Sequence, residues 1–127
     1  KGEGRALVVD ICAAFRARGI DFWEYEDQNQ AGEDWRANLE AALEQMTHFV
    51  ALETPTYDQS PACVKEMRRA REREQQAEVV IRAFRVADRG RPVVELRDEH
   101  RTHQPLPSAT DAAAKVVANN ILRSIRR

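Results

Sequence analysis

Helical and strand-like apolar patterns follow one another along the chain. Apolar residues recur at helical spacing in four segments, at 6–18, 35–46, after Ser60 and after Ser108, and short apolar runs rich in strand formers lie between them, at 20–25, 47–52, 78–86 and 91–96. Such alternation is typical of a parallel sheet with helices on both faces. We therefore predict an α/β fold of flavodoxin-like, three-layer type.

Several helix boundaries are marked by specific residues. Gly19 stands where a C-terminal cap belongs, and Ser60-Pro61 is a favoured helix start, a hydroxyl cap followed by proline. The charged stretch 68–76 then reads as a solvated helical extension.

Because a doubly wound sheet places its first strand between the second and the third, and because this chain begins on a helix, we expect the first, central strand to precede Lys1.

Composition limits the function classes. A length of 127 residues is that of one domain, so we expect residues 1–127 to form a single domain. No apolar run approaches the roughly 20 residues of a membrane helix, and two cysteines without a Cys-x-x-Cys pair fit a reducing cytoplasm. His100 and His103 have no third ligand at suitable spacing, so we predict no metal site. The net charge of −1 combines an acidic first half with a basic second half. Acidic residues are interspersed among the basic ones in that second half, which argues against a nucleic-acid-binding surface.

Glu66 stands out by position. With Ser60 as the cap, it is the sixth helical residue, about 9 Å along the axis, near the edge of the sheet where ligands bind. It lies at the border of the apolar stripe formed by Cys63, Val64 and Met67. A carboxylate there can face a pocket, although most border glutamates are simply solvated.

Two segments carry a family resemblance: residues 19–35, with a Gly-led strand, a long loop and Trp35, and residues 57–66, with Ser60-x-x-Cys63-x-x-Glu66. In this order they resemble the Toll/interleukin-1 receptor (TIR) domain family, over residues 6–72 in detail and beyond them in outline. Two departures are visible. Ala62 stands where many members have Trp, and Tyr25 stands where an Asp often ends the second strand.

The resemblance implies an NAD+ hydrolase, which cleaves the nicotinamide–ribose bond with Glu66 as the catalytic residue. Gly32, Trp35 and Ser60 are the implied substrate-binding residues, although Trp35 also fits a core position and Ser60 a helix cap. NAD+ is then a substrate, in keeping with the absence of a Gly-x-Gly-x-x-Gly motif, and no cofactor is expected. ADP-ribose and a cyclic product both remain open.

The resemblance also implies a role. We expect a bacterial immune or toxin effector of the antiviral-defence type, which acts in the cytoplasm when a sensor outside this chain brings TIR domains together. The alternative is a non-catalytic TIR–TIR adaptor or signalling mimic. Opposite charges predict a head-to-tail homo-oligomer or filament, with an interface formed by Glu26, Asp27, Arg68 and Arg69.

Overall fold

The computed structural model describes residues 2–24, 35–54, 61–86, 93, 96–102 and 104–125. Within them, helices and strands follow one another in chain order. They are helix α1 (Gly2–Ala17), helix α2 (Trp35–Gln45), strand β1 (His48–Glu53), helix α3 (Pro61–Gln75), strand β2 (Val80–Arg85), a 3₁₀ turn (Asp98–His100) and helix α4 (Thr110–Ile125).

The marked helix boundaries are confirmed. Gly19 adopts a positive φ of 70° just after α1, and the amide of Ile20 donates to the carbonyl of Phe15 at 3.0 Å. Glycine has no Cβ to oppose this left-handed conformation, so it ends the helix at little cost. Pro61 is the first residue of α3, where its missing N–H has no intrahelical partner to lose.

The sheet is parallel. β1 and β2 pair in register from His48 with Val80 to Glu53 with Arg85. Beyond β2, Arg101 forms an isolated parallel bridge with Ala83, and the amide of Thr102 donates to the Ala83 carbonyl at 3.2 Å. The chain after the 3₁₀ turn therefore continues the sheet on the far side of β2, as in a flavodoxin-like α/β fold.

Two apolar clusters cover the two faces of this sheet. Successive strand residues point to opposite faces, so Phe84 joins one cluster while Ile81 and Ala83 join the other. The first cluster packs α1 against α4, chiefly through Leu7, Ile11, Phe15, Val117 and Ile121. The second packs α3 through Met67 and Ala70, which are completely buried. The predicted helix–sheet–helix layering is confirmed.

One predicted strand is wrong, and a second is described at only two of its residues. Residues 20–24 form no strand, since within the described ranges no neighbouring strand pairs with them, and Tyr25 lies outside those ranges. Trp23 in this segment is half-buried. In the predicted strand 91–96, the two described residues, Val93 and Leu96, are buried but have no regular structure.

The expected solvated extension of α3 is also wrong at one position. Arg73 is only 8% exposed. Its Nη1 donates to the carbonyls of Leu43, at 2.7 Å, and Met46, at 2.8 Å, and its Nε donates to Glu78. The side chain thus satisfies carbonyls at the end of α2, where the helix itself supplies no donors.

Candidate active site

The carboxyl ends of the two paired strands define one edge of the molecule. β1 ends at Glu53, and the chain enters α3 at Pro61. In open α/β sheets this edge is where ligands bind. Glu66, the sixth residue of α3, lies about 9 Å along the helix from its start, and it is half-buried beside the fully buried Met67.

The surroundings of Glu66 oppose its ionisation. Burial raises the pKa of its carboxyl, and the negative charge of Glu24 raises that pKa further. Both effects act in the same direction because each disfavours the charged form. A carboxyl with a raised pKa at a ligand-binding edge is a candidate functional residue.

Glu24 and Arg5 form an ion pair that the sequence analysis did not predict. Arg5 Nη1 lies 3.2 Å from Glu24 Oε1, which links α1 to the end of the 20–24 segment. Glu24 belongs to the predicted strand 20–25 and begins the acidic segment that contains Glu26 and Asp27. The sequence signal that could have singled it out is its place at the end of that segment, directly before the long loop that leads to the predicted substrate residues.

Glu53 also lies at this edge, but it faces inward. It is completely buried, and its carboxylate accepts hydrogen bonds from Arg101 Nε, at 2.9 Å, and from the Val93 amide, at 2.7 Å. These donors occupy its oxygens, so Glu53 holds the 93–101 segment against β1 and is not available to a ligand.

The predicted interface arginines differ in their surroundings. Arg69 forms a two-pronged pair with Glu44, at 2.6 and 2.5 Å, and also contacts Glu72. This pairing lowers the pKa of the Glu44 carboxyl. Arg68 is exposed. Both line a groove of about 740 Å³ between α2 and α3, which is walled also by Glu40, Leu43, Val64 and Lys65. Glu66 is not among the residues of this groove.

The other predicted site residues cannot be placed. Gly32, Ser60, Glu26 and Asp27 lie outside the described residues, as does the side chain of Trp35, whose backbone begins α2. Of the predicted site residues, Glu66 is the one whose surroundings are described: the charge of Glu24 acts on it, and Glu24 pairs with Arg5.

His100, one of the two histidines considered as metal ligands, is 3% exposed. Its Nδ1 accepts the Arg97 amide at 2.9 Å, and its Nε2 lies 2.7 Å from Glu74. His103 lies outside the described residues. Within the ranges that the structure describes, no three His, Cys, Asp or Glu side chains converge as metal ligands would.

None of the helices in the described residues combines the length and the apolar character that crossing a membrane requires.

Comparison with curated proteins and comparison with solved structures each gave no match. Comparison with family models did: residues 1–116 match a model described as a TIR domain. That match covers most of the 127 residues and agrees with the α/β fold, and the chain belongs to the TIR domain family.

Proposed function

We propose that this TIR domain cleaves NAD+ at the bond between nicotinamide and ribose, with Glu66 as its catalytic residue. Membership of the family is compatible with either signalling or NAD+ cleavage. The observation that favours cleavage is the half-buried Glu66 carboxyl, whose pKa is raised by burial and by Glu24. Carboxyls with perturbed pKa values cluster at functional sites, which supports cleavage over a role in binding alone.

The reaction needs one carboxylate. The glycosidic C–N bond breaks with its electron pair leaving on nicotinamide, which turns from a cationic pyridinium into a neutral base, so no acid has to protonate it. The ribose becomes an oxocarbenium ion, and the Glu66 carboxylate stabilises that positive charge. Water then adds to the ribose carbon and loses a proton to give ADP-ribose. Attack by an adenine nitrogen would give a cyclic product instead.

The domain acts as an effector in bacterial antiviral defence or as a toxin, in the cytoplasm. Activity begins when a sensor outside this chain assembles TIR domains into a homo-oligomer or filament. In that assembly, an acidic segment with Glu26 and Asp27 docks on Arg68 of the next copy. For Arg69 to take part in this contact, it would have to exchange its pair with Glu44 inside the domain.

The decisive experiment incubates the purified full-length protein with NAD+ at high protein concentration and measures free nicotinamide. Glu66→Gln should abolish release. Glu72→Gln is a matched control, since it removes an exposed carboxylate from the same helix and should leave release unchanged. Oligomers of the wild-type protein that release no nicotinamide would favour the adaptor function.

A further inference from the structure

A serine and a histidine are hydrogen-bonded at the amino ends of the strands, the sheet edge opposite to that of Glu66. His48 is the first residue of β1, and Ser124 lies in the last turn of α4. Ser124 Oγ lies 3.0 Å from His48 Nε2, and Thr47 Oγ1 lies 3.0 Å from His48 Nδ1. Ser124 follows His48 by 76 positions, so this is a contact of the tertiary structure.

The layering of the fold explains why Ser124 meets His48. Alternate strand residues share a face of the sheet, so His48 lies on the same face as Val50, which packs against the cluster between α1 and α4. α4 buries Ile121 in that cluster. Ser124 follows Ile121 by three residues, on the same side of the helix. The last turn of α4 therefore brings its hydroxyl group to the start of β1.

The two hydrogen bonds of His48 allow an arrangement that is suited to catalysis. A neutral imidazole has one N–H donor and one acceptor nitrogen. With the proton on Nδ1, His48 donates to Thr47, and its Nε2 accepts the hydroxyl of Ser124, as a general base does beside a nucleophile. Burial, followed by the charge of Arg82, lowers the pKa of His48 below the ordinary 6.5. The imidazole is therefore neutral at neutral pH and able to accept a proton.

The pair is accessible and has apolar neighbours. His48 and Ser124 are half-buried, and Thr47 is exposed. Val80, which is paired with His48 in the sheet, is 36% exposed, and Ile125, which follows Ser124, is 49% exposed. Because ligand sites combine apolar surface with a few polar groups, these neighbours favour a substrate with an apolar portion.

A side chain one turn earlier in α4 has an unused hydrogen-bonding atom. Asn120 Oδ1 is buried and has no hydrogen-bond partner among the residues that the structure describes. Asn120 lies four residues before Ser124, about 6 Å along the helix and on the same side. Half a turn of its amide exchanges Oδ1 for the Nδ2 donor, which can bind a carbonyl oxygen that gains negative charge.

We propose that Ser124 is a nucleophile activated by His48, and that it accepts acyl groups from activated esters with a short apolar acyl chain. Ser124 Oγ attacks the carbonyl carbon of the ester while its proton passes to His48 Nε2. The carbonyl oxygen becomes an oxyanion. The bond between the carbonyl carbon and the leaving oxygen then breaks with its electron pair on that oxygen, to which His48 returns the proton. The products are acyl-Ser124 and an alcohol, and the site does not depend on the proposed function.

The test incubates the full-length protein with p-nitrophenyl butyrate, measures the release of p-nitrophenol and locates the butyryl group by peptide mass spectrometry. Ser124 should carry the butyryl group, and Ser124→Ala should lose that modification. Ser108→Ala, at an exposed serine, is the matched control and should leave the rate at Ser124 unchanged. His48→Gln should slow the acylation of Ser124 about 100-fold, which is within the range that a general base contributes.

Further variants separate activation of Ser124 from a structural hydrogen bond. Thr47→Val removes the acceptor for Nδ1 at an exposed position and should slow acylation, whereas Thr47→Ser keeps that acceptor and should react like the wild type. Ile125→Ser should weaken the preference for butyrate over acetate esters. Acylation of Ser124 no faster than that of Ser108, or a rate unchanged in both His48→Gln and Thr47→Val, would overturn the inference.

Discussion

The guanidinium of Arg101 pairs with the carboxylate of Glu53 in the interior of the domain. Arg101 Nε lies 2.9 Å from each Glu53 oxygen, and Glu53 has no exposed surface. The same guanidinium donates from Nη2 to the carbonyls of Val93 and Leu96. One side chain therefore fixes both the end of β1 and the irregular segment beyond β2.

Arg101→Met should destabilise the domain by about 3–5 kcal/mol, because it leaves the buried Glu53 carboxylate without its countercharge. Replacing both Glu53 and Arg101 by Met should cost less than the single change, since no unpaired charge remains. Unfolding in urea measures both. Arg97→Met, at a neighbouring exposed arginine, is the control. An equal loss of stability there would show that the effect of Arg101→Met does not come from its pair with Glu53.

His48 should make the domain less stable in mild acid. Its Nε2 lies 3.0 Å from Ser124 Oγ, and burial, followed by the charge of Arg82, lowers its pKa below the ordinary 6.5. The unfolded chain then binds a proton more readily than the folded one, so the contribution of His48 is complete above pH 6.5 and falls as the pH drops below it. Unfolding free energies measured from neutral to mildly acidic pH should decline more steeply for the wild type than for His48→Gln. Parallel declines would contradict this.

Glu66→Gln should raise stability at neutral pH while it abolishes NAD+ cleavage. The raised pKa means that the ionised Glu66 opposes folding. Removing the charge relieves that cost, and the gain should vanish in acid, where the wild-type carboxyl becomes protonated. Thermal unfolding at several pH values measures the difference. A loss of stability at neutral pH would identify Glu66 as a structural residue.

Assembly should make NAD+ cleavage rise more steeply than linearly with protein concentration. Raising salt from about 50 mM to about 500 mM should reduce it, because salt screens exposed charge pairs. Arg68→Glu and Arg69→Glu should each inhibit, since either change places a negative charge where the acidic segment of the next copy would dock. Activity that is strictly proportional to concentration and insensitive to salt would exclude a contact of this kind.

Local signals were sufficient for the helices, because caps and apolar spacing act over a few residues: Gly19 and Pro61 lie where the pattern places them. Local signals failed for residues 20–24, because a strand also needs a neighbouring strand to pair with. The spacing of apolar residues does not show whether such a strand is present. The place of Glu66 in α3 was predictable from the helix start at Pro61, whereas its catalytic role is a proposal that comes from the family pattern. Its coupling to Glu24 and the Glu53–Arg101 pair were not, because both join residues more than 40 positions apart.

The placement of Arg73 has a consequence for the order in which the domain forms. The last carbonyls of α2 are satisfied by a side chain that follows Leu43 by 30 residues and Met46 by 27. Until α3 has docked, the end of α2 must rely on water for these hydrogen bonds and should fray. The two helices are thus one cooperative unit, whose amides should exchange with solvent through a shared opening. The helix that carries Glu66 would then open only together with its neighbour.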